Sequence, residues 1–331
     1  MRIISLEDHV TTDLYESLLP SPGEEGARRR KAWLEWRSAA MGYDIKAELA
    51  DMGESRIAAM DKAGVDLQVL SLTTPGAQGL DAVAAVRASI DANDRMAAAV
   101  ERFPDRLLAF AALPTPDPDA SVRELRRTVE ELGFKGAMIN GHANGRFLDA
   151  KEYDPLFDCA QQLDVPLYIH PREPAKGLLE SYFKGYEDLA RAPIGFGIDA
   201  GMNFVRLMFS GVFDRFPGLR IILGHLGEGL PFVMTRLNHN TKDVRQLRRL
   251  KKEPIEYFCE NLVLTTSGNY SIPSFLCTSM MLGTDSIMFS VDWPYEPNTD
   301  AVAFLKSLPI NEADRAKIAH ANAERILKIP A

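Results

Sequence analysis

The sequence predicts an α/β protein, a closed (β/α)8 barrel in one domain over residues 1–331. Three observations carry the prediction. Short apolar, β-branched runs alternate with longer helical patterns, as in a parallel sheet covered by helices. There are eight such runs. Several of them run straight into histidines or acidic residues, where barrel enzymes place their chemistry.

The expected strands are Ile3–Leu6, Leu67–Leu72, Leu107–Ala111, Phe134–Ile139, Pro166–Ile169, Leu219–Leu223, Leu262–Thr266 and Ile287–Ser290. Asp81–Arg102 is Ala-rich and precedes Pro104, which suits a helix and its stop. Ser121–Leu132 is a second helix, with Asp119 as its cap and Gly133 as its end. Asp154 and Pro155 open a helix over Leu156–Leu163. Gly201–Phe216 is helical up to Pro217, and Asn311 caps the last helix, which ends near Leu327.

Two segments are too long for simple connections. Val10–Asp51 follows the first strand and carries Trp33, Trp36 and Tyr43. Pro171–Ala200 follows the fifth and carries Tyr182, Phe183 and Tyr186. Both leave the C-terminal ends of their strands, so they are expected as lid or pocket insertions, with subunit contact as the other reading. Their aromatics either stack on a substrate ring or belong to core and interface.

Of the 331 residues, 46% are apolar and 25% charged, enough for a large core that needs no staples. The net charge of −8 argues against a nucleic-acid surface, and the most basic run, Arg245–Lys252, reads as a solvated helix face. Cys159, Cys259 and Cys277 are far apart and form no disulfide or metal motif, which suits a reducing, cytoplasmic setting. The N-terminus is charged at once, and no apolar run is long enough for a membrane span.

The chemistry lies at four strand ends. The first strand runs into Glu7, Asp8 and His9, the fifth into His170, the sixth into Gly224 and His225, and the eighth into Asp292, Trp293 and Pro294. Glu7 and His9 are two apart and share a strand face, with Asp8 on the other. Carboxylates and imidazoles facing a barrel interior are costly unless they are paired or bind a cation. Together they suit a divalent ion such as zinc or manganese, with a position open for substrate. Glu228 either folds back onto His225 across Gly227 or is a first-turn charge on the next helix. His239 and His320 fall in helices as structural or solvated groups. His142, in the stretch GHANGR, stands near the rim as either a pocket or a loop residue.

These residues sit in stretches that resemble the amidohydrolase superfamily, in its amidohydrolase-2 branch. The stretches are LEDH at the start, KGAMINGHANGRFLD after the fourth strand and PLYIHP at the fifth. They continue as SGVFDRFPGLRIILGHLGEGLPF around the sixth and MFSVDWPYE at the eighth, so the resemblance covers nearly the whole chain. Within the branch the chain is most similar to the metal-dependent, non-oxidative decarboxylases of hydroxybenzoates, those of γ-resorcylate, 2,3-dihydroxybenzoate and 5-carboxyvanillate. Many superfamily members begin with H-x-H. The E-x-H of Glu7 and His9 is similar to the decarboxylase group and weakens the case for a metal-hydroxide hydrolase.

The resemblance implies a distorted TIM barrel with one divalent ion, zinc, manganese or magnesium, on Glu7, His9, His170 and Asp292. It implies a His225–Glu228 pair, a substrate-facing Asn140, and an Arg236 that supports the pair or the substrate carboxylate. It also implies a small aromatic carboxylate substrate and a homodimer or homotetramer. The expected reaction is reversible decarboxylation, with Asp292 giving the ring its proton and His225, oriented by Glu228, helping to move it. Two rivals are a hydrolase or hydratase of a lactone or ring-cleavage product, and a binding protein on a decayed barrel. Carbon dioxide release separates the first from a decarboxylase, and metal content separates the second.

Overall fold

The computed structural model describes residues 1–21 and 23–330. Its strands are β1 (Ile4–Val10), β2 (Leu67–Leu72), β3 (Leu107–Ala109), β4 (Ala111–Ala112), β5 (Ala137–Asn140), β6 (Leu167–His170), β7 (Ile221–Leu223), β8 (Leu262–Thr265) and β9 (Ile287–Met288). All neighbours are parallel, in the orders β1-β2-β3 and β4-β5-β6-β7-β8-β9. The expected third strand is present but changes partner at Phe110. The Phe110 N–H donates to the Leu70 carbonyl, and the next N–H, of Ala111, donates to the Gly136 carbonyl.

The opposite seam is held by the chain just beyond β9. The Asp292 N–H donates to the Glu7 carbonyl (2.9 Å) and the His9 N–H to the Trp293 carbonyl (2.6 Å). Lower in the seam, serine hydroxyls replace backbone partners: Glu7 N–H donates to Ser290 Oγ and Val291 N–H to Ser5 Oγ. These contacts link both edges of the sheet into a distorted α/β barrel, the architecture expected from the sequence. β1 also carries a register shift between Ser5 and Asp8 against β2, a local bulge.

Period two sorts the strand residues into two cores. Ile4, Leu6, Val69, Phe110, Met138, Tyr168, Ile222, Val263 and Met288 pack together inside the barrel, closed below by Ile326 and Leu327 of the last helix. Ile139, Ile169, Leu223, Leu264 and Phe289 alternate with them and pack outward under the helices.

The helical expectations hold with shifts that have local causes. Asp81 caps Ala82–Arg102 as expected. Helix Pro118–Glu130 is capped by Asp117, which accepts from Ala120 N–H, rather than by Asp119; Pro118 fits the first turn because it has no N–H to satisfy. The expected Gly201–Phe216 helix is two pieces, Gly195–Phe209 and Val212–Arg215, parted where Gly211 takes φ +73°. Asn311 caps the terminal helix, which contains a π-helical turn at Lys317–Ala321; within it the Ile318 carbonyl accepts from Phe289 N–H.

The first insertion folds as helices Asp13–Leu18, Gly23–Met41 and Ile45–Ala50, and it grips the chain beyond β9. Tyr43 stacks on Trp293 (4.8 Å) and donates to the Pro294 carbonyl, Arg37 donates to the Tyr295 carbonyl, and Trp33 lies 6.1 Å from the Tyr295 ring. Trp36 is exposed. In the second insertion, Phe183 is buried while Tyr182 and Tyr186 are exposed.

Candidate metal centre

Above the apolar floor, the same period places polar residues on the inner face. Met138 is followed two residues on by Asn140, Tyr168 by His170, Val263 by Thr265, and Met288 by Ser290 and then Asp292. Asn140 and His170 are neighbours in register. Glu7, within the bulge of β1, and His9, just beyond it, enter the same layer.

Glu7, His9, His170 and Asp292 each present one donor atom, all within 4.8 Å of one another. His9 Nε2 lies 3.1 Å from Asp292 Oδ1, and His170 Nε2 lies 3.2 Å from Glu7 Oε1. Donors bonded at about 2.1 Å to one ion stand roughly 3–4 Å apart, so the spacing fits. Glu7 Oε1, His9 Nε2 and Asp292 Oδ1 are buried with no hydrogen-bond partner among the described residues. Unpartnered buried polar atoms are costly, and here they converge on one point. His9 is presented for coordination through Nε2 because its Nδ1 contacts Ser71 Oγ at 3.3 Å.

The electrostatics agree. Burial pulls the His9 imidazole down, yet Asp292 and Glu7 outweigh it and hold its pKa at about 9. Burial likewise raises the Glu7 carboxyl, but His225, His170 and His9 bring it well below the usual carboxylate range. His170 lies below its ordinary value, chiefly through burial. The pocket therefore calls for positive charge. The donor set of two imidazoles and two carboxylates fits one divalent ion.

His225 and Glu228 meet beside this set. His225 Nδ1 lies 2.6 Å from Glu228 Oε1, and His225 Nε2 faces Asp292 Oδ2 at 3.7 Å. Glu228 is not on the following helix, which begins at Leu230. It belongs to a turn in which residues 225–229 all have positive φ, so the first-turn alternative does not hold. The turn is clamped by three side-chain bonds, His225 N–H to Ser267 Oγ, Asn269 Nδ2 to the His225 carbonyl and Thr278 Oγ1 to the Leu226 carbonyl, and by one backbone bond, Leu226 N–H to the Thr265 carbonyl. Burial lowers the His225 pKa, but the charges of Glu228 and Glu7 raise it well above the ordinary value.

Asn140 is buried in the same layer. Its backbone N–H donates to Gln78 Oε1, while its Oδ1 has no partner among the described residues. Arg236 stands exposed on helix Leu230–Asn240, and the His225–Glu228 contact is made without it. His142 is buried, accepting from Gly145 N–H through Nδ1, and burial brings its pKa down to about 4. His239 is exposed and His320 pairs with Glu324.

Four residues of the site escaped the sequence reading: Tyr168, Ser267, Gly268 and Tyr295. Tyr168 and Ser267 both donate to Glu7 Oε2. Burial and the Glu7 charge push the Tyr168 phenol well above its usual pKa. Gly268, at φ +59°, packs directly against His225 and Asp292. The Tyr295 ring lies 5.6 Å from His9. Period two was the available signal: Tyr168 stands two before His170, and Ser267 two after Thr265.

Comparison with known proteins shows the family of the chain. The amidohydrolase family profile matches residues 34–329. A γ-resorcylate decarboxylase from Polaromonas sp. is 37% identical over 335 residues, covering 98% of both chains. A dihydroxybenzoic acid decarboxylase structure from Polaromonas sp., with bound manganese and the inhibitor 2-nitroresorcinol, superposes with a TM-score of 0.87 at 35% identity, covering 99% of this chain and 97% of that one. The 5-carboxyvanillate decarboxylase of Sphingomonas paucimobilis superposes with a TM-score of 0.89 at 33% identity, covering 99% of each chain. The chain therefore belongs to the amidohydrolase family, as a metal-dependent enzyme whose relatives include the γ-resorcylate and 5-carboxyvanillate decarboxylases.

Proposed function

We propose that this enzyme removes the carboxylate from an ortho-hydroxybenzoate without an oxidant, with Asp292 as the acid that protonates the ring. The observation that carries the reading is the double exposure of one carboxylate. Asp292 Oδ1 faces the metal donors, 3.1 Å from His9 Nε2, while Oδ2 faces His225 Nε2 at 3.7 Å. A single side chain thus lies between the place that holds the substrate's oxygens and a histidine that carries a proton.

A divalent ion on Glu7, His9, His170 and Asp292 would supply Lewis-acid charge for the substrate's carboxylate and phenol oxygens. Asp292, protonated, delivers its proton to the ring carbon that bears the carboxylate. The bond from that carbon to the carboxylate then breaks, its electron pair returns to the ring, and carbon dioxide leaves. His225, its charge favoured by Glu228 and Glu7, returns a proton to Asp292. Asn140, with a free buried oxygen in the same layer, is proposed to face the substrate. Arg236 is proposed to serve the substrate only through a rearrangement or a neighbouring copy, since it stands exposed in the isolated chain.

A homo-oligomer is supported by Phe232, Leu276 and Met280, which are exposed on two helices that pack together, Leu230–Asn240 and Ile272–Leu282. A cytoplasmic location is supported by the free cysteines Cys159, Cys259 and Cys277. Among the described residues no helix is long and apolar enough to cross a membrane.

The test is a panel of 2,6-dihydroxybenzoate, 2,3-dihydroxybenzoate, salicylate and 5-carboxyvanillate, incubated with protein loaded with manganese, zinc or magnesium. Metal-dependent release of carbon dioxide with the matching phenol is the expected result, abolished by a chelator and restored by added metal. No release from any ring by metal-loaded protein would overturn the reading and direct the assay to lactones and ring-cleavage products.

A further inference from the structure

Glu7 uses its two oxygens differently. Oε1 has no hydrogen-bond partner among the described residues and stands 3.2 Å from His170 Nε2. Oε2 accepts from the Tyr168 hydroxyl and from Ser267 Oγ at 2.5 Å. Thr265 Oγ1 contacts both hydroxyls, at 2.7 Å from Tyr168 and 3.0 Å from Ser267. Glu7, Tyr168, Thr265 and Ser267 are all fully buried, so no bulk water competes for these bonds.

The backbone makes room for the arrangement. Gly224, just beyond β7, faces it so closely that a Cβ there would lie 2.7 Å from Glu7 Oε2, 2.9 Å from Ser267 Oγ and 3.0 Å from the Tyr168 hydroxyl. Tyr168 sits in the apolar layer below the site, with its ring among Phe110, Ile222 and Met288. Its hydroxyl is thereby held at one height by packing rather than by a flexible stem.

A carboxylate has about four acceptor positions and can bind a cation through one oxygen or both. With Oε2 occupied by two hydroxyl donors and the carboxylate plane fixed, only Oε1 is free to face the other three donors. We infer that Tyr168 and Ser267 are positioning residues that make Glu7 a one-oxygen metal ligand. An ion so held keeps a coordination position that a two-oxygen glutamate would fill, and the proposed substrate needs that position. The inference rests on the metal-centre reading above.

The test uses the full chain, stripped of metal and titrated with Mn2+. Electron paramagnetic resonance follows the free ion, and water-proton relaxation reports water on the bound one. Tyr168→Phe keeps the ring and its packing while removing the donor. It is expected to bind Mn2+ about 10–100-fold more weakly than the natural chain, as for other groups that orient metal ligands, with lower relaxation per bound ion. Ser267→Ala is expected to weaken binding in the same direction, and it carries the test if the tyrosine variant does not fold. Affinity within twofold of the natural chain in both variants, with only the melting temperature of the metal-free protein lowered, would overturn the inference and leave the metal centre standing. A natural chain that binds no Mn2+ would overturn both.

Discussion

Glu228 Oε1 reaches His225 Nδ1 at 2.6 Å because every residue of the turn between them takes a positive φ, from 52° at His225 through 58° at Leu226 and 88° at Gly227 to 55° at Glu228. Three of these four are not glycine, and each such residue costs on the order of 1 kcal/mol or more. The clamp from Ser267, Asn269 and Thr278 offsets that cost. The turn serves to aim Nε2 at Asp292 while Glu228 supports the positive charge on the ring. Glu228→Gln keeps the size and a hydrogen bond but loses the charge. Turnover is expected to fall roughly 100-fold, within the range for a disturbed acid–base group, while manganese content stays unchanged. Steady-state kinetics with metal analysis checks both. Unchanged turnover would reduce the pair to a structural contact.

Asp292→Asn tests the proposed acid. The amide keeps the shape of the side chain but has no carboxyl proton to give, and it is a poorer ligand. Carbon dioxide release is expected to drop by at least about a thousandfold, with the circular dichroism spectrum of the barrel preserved. Turnover within tenfold of the natural chain, measured at saturating manganese, would remove Asp292 from the proton-donor role.

Much of this site could be read from the sequence because strand ends carry their side chains in a fixed alternation. His170 and Asp292 follow apolar strands at positions that period two places on the inner face, and Glu7 and His9 share a face in the same way. The bulge between Ser5 and Asp8 was not legible, since it arises from pairing with β2 rather than from any local residue preference. Nor was the left-handed turn at 225–229. Only Gly227 and Gly229 hint at it, while Leu226 is held there by Thr265 of β8 and by Thr278 beyond it, and Glu228 by His225. Tyr168 was hidden for a different reason: its ring belongs to the apolar core and only its hydroxyl belongs to the site. The break at Phe110 likewise depends on two neighbouring strands competing for one segment.

Asp199 links the rim to pH. It is buried on helix Gly195–Phe209, and burial pushes its carboxyl up to about 7 against the pull of Arg172, with Glu228 adding to the rise. Its Oδ2 accepts from Asn203 Nδ2, and the Arg172 guanidinium also donates to the carbonyl of His142, itself uncharged above a pKa of about 4. A carboxyl whose folded pKa lies above its unfolded value contributes stability that is full below about pH 4 and is lost as pH rises through 7. Asp199→Asn removes this dependence. The stability of the variant relative to the natural chain is therefore expected to rise between pH 4.5 and 8, by up to roughly 3 kcal/mol. Denaturant unfolding across that range measures it, and a difference that stays flat with pH would refute the assignment.

A substitution at Gly268 tests whether the proposed proton transfer can be separated from metal binding. At φ +59° it lies where a Cβ would come 2.9 Å from His225 Cδ2, 3.2 Å from His225 Nε2 and 3.2 Å from Asp292 Oδ2. His225 Nε2 and Asp292 Oδ2 are the two ends of the proposed proton route and Cδ2 is the adjoining ring carbon, while Asp292 Oδ1, the oxygen facing His9, is not among them. Gly268→Ala therefore places a methyl against both partners of the 3.7 Å approach and forces them apart. The left-handed backbone adds a cost of about 1 kcal/mol, small beside the stability of a barrel of this size. Turnover is expected to fall roughly 100-fold or more, with Mn2+ affinity changed by less than about threefold, because the route is interrupted while the donor oxygen keeps its place. An equal loss of metal affinity and turnover would mean that Asp292 moves as a whole, and that His225 and the metal centre cannot be uncoupled at this position.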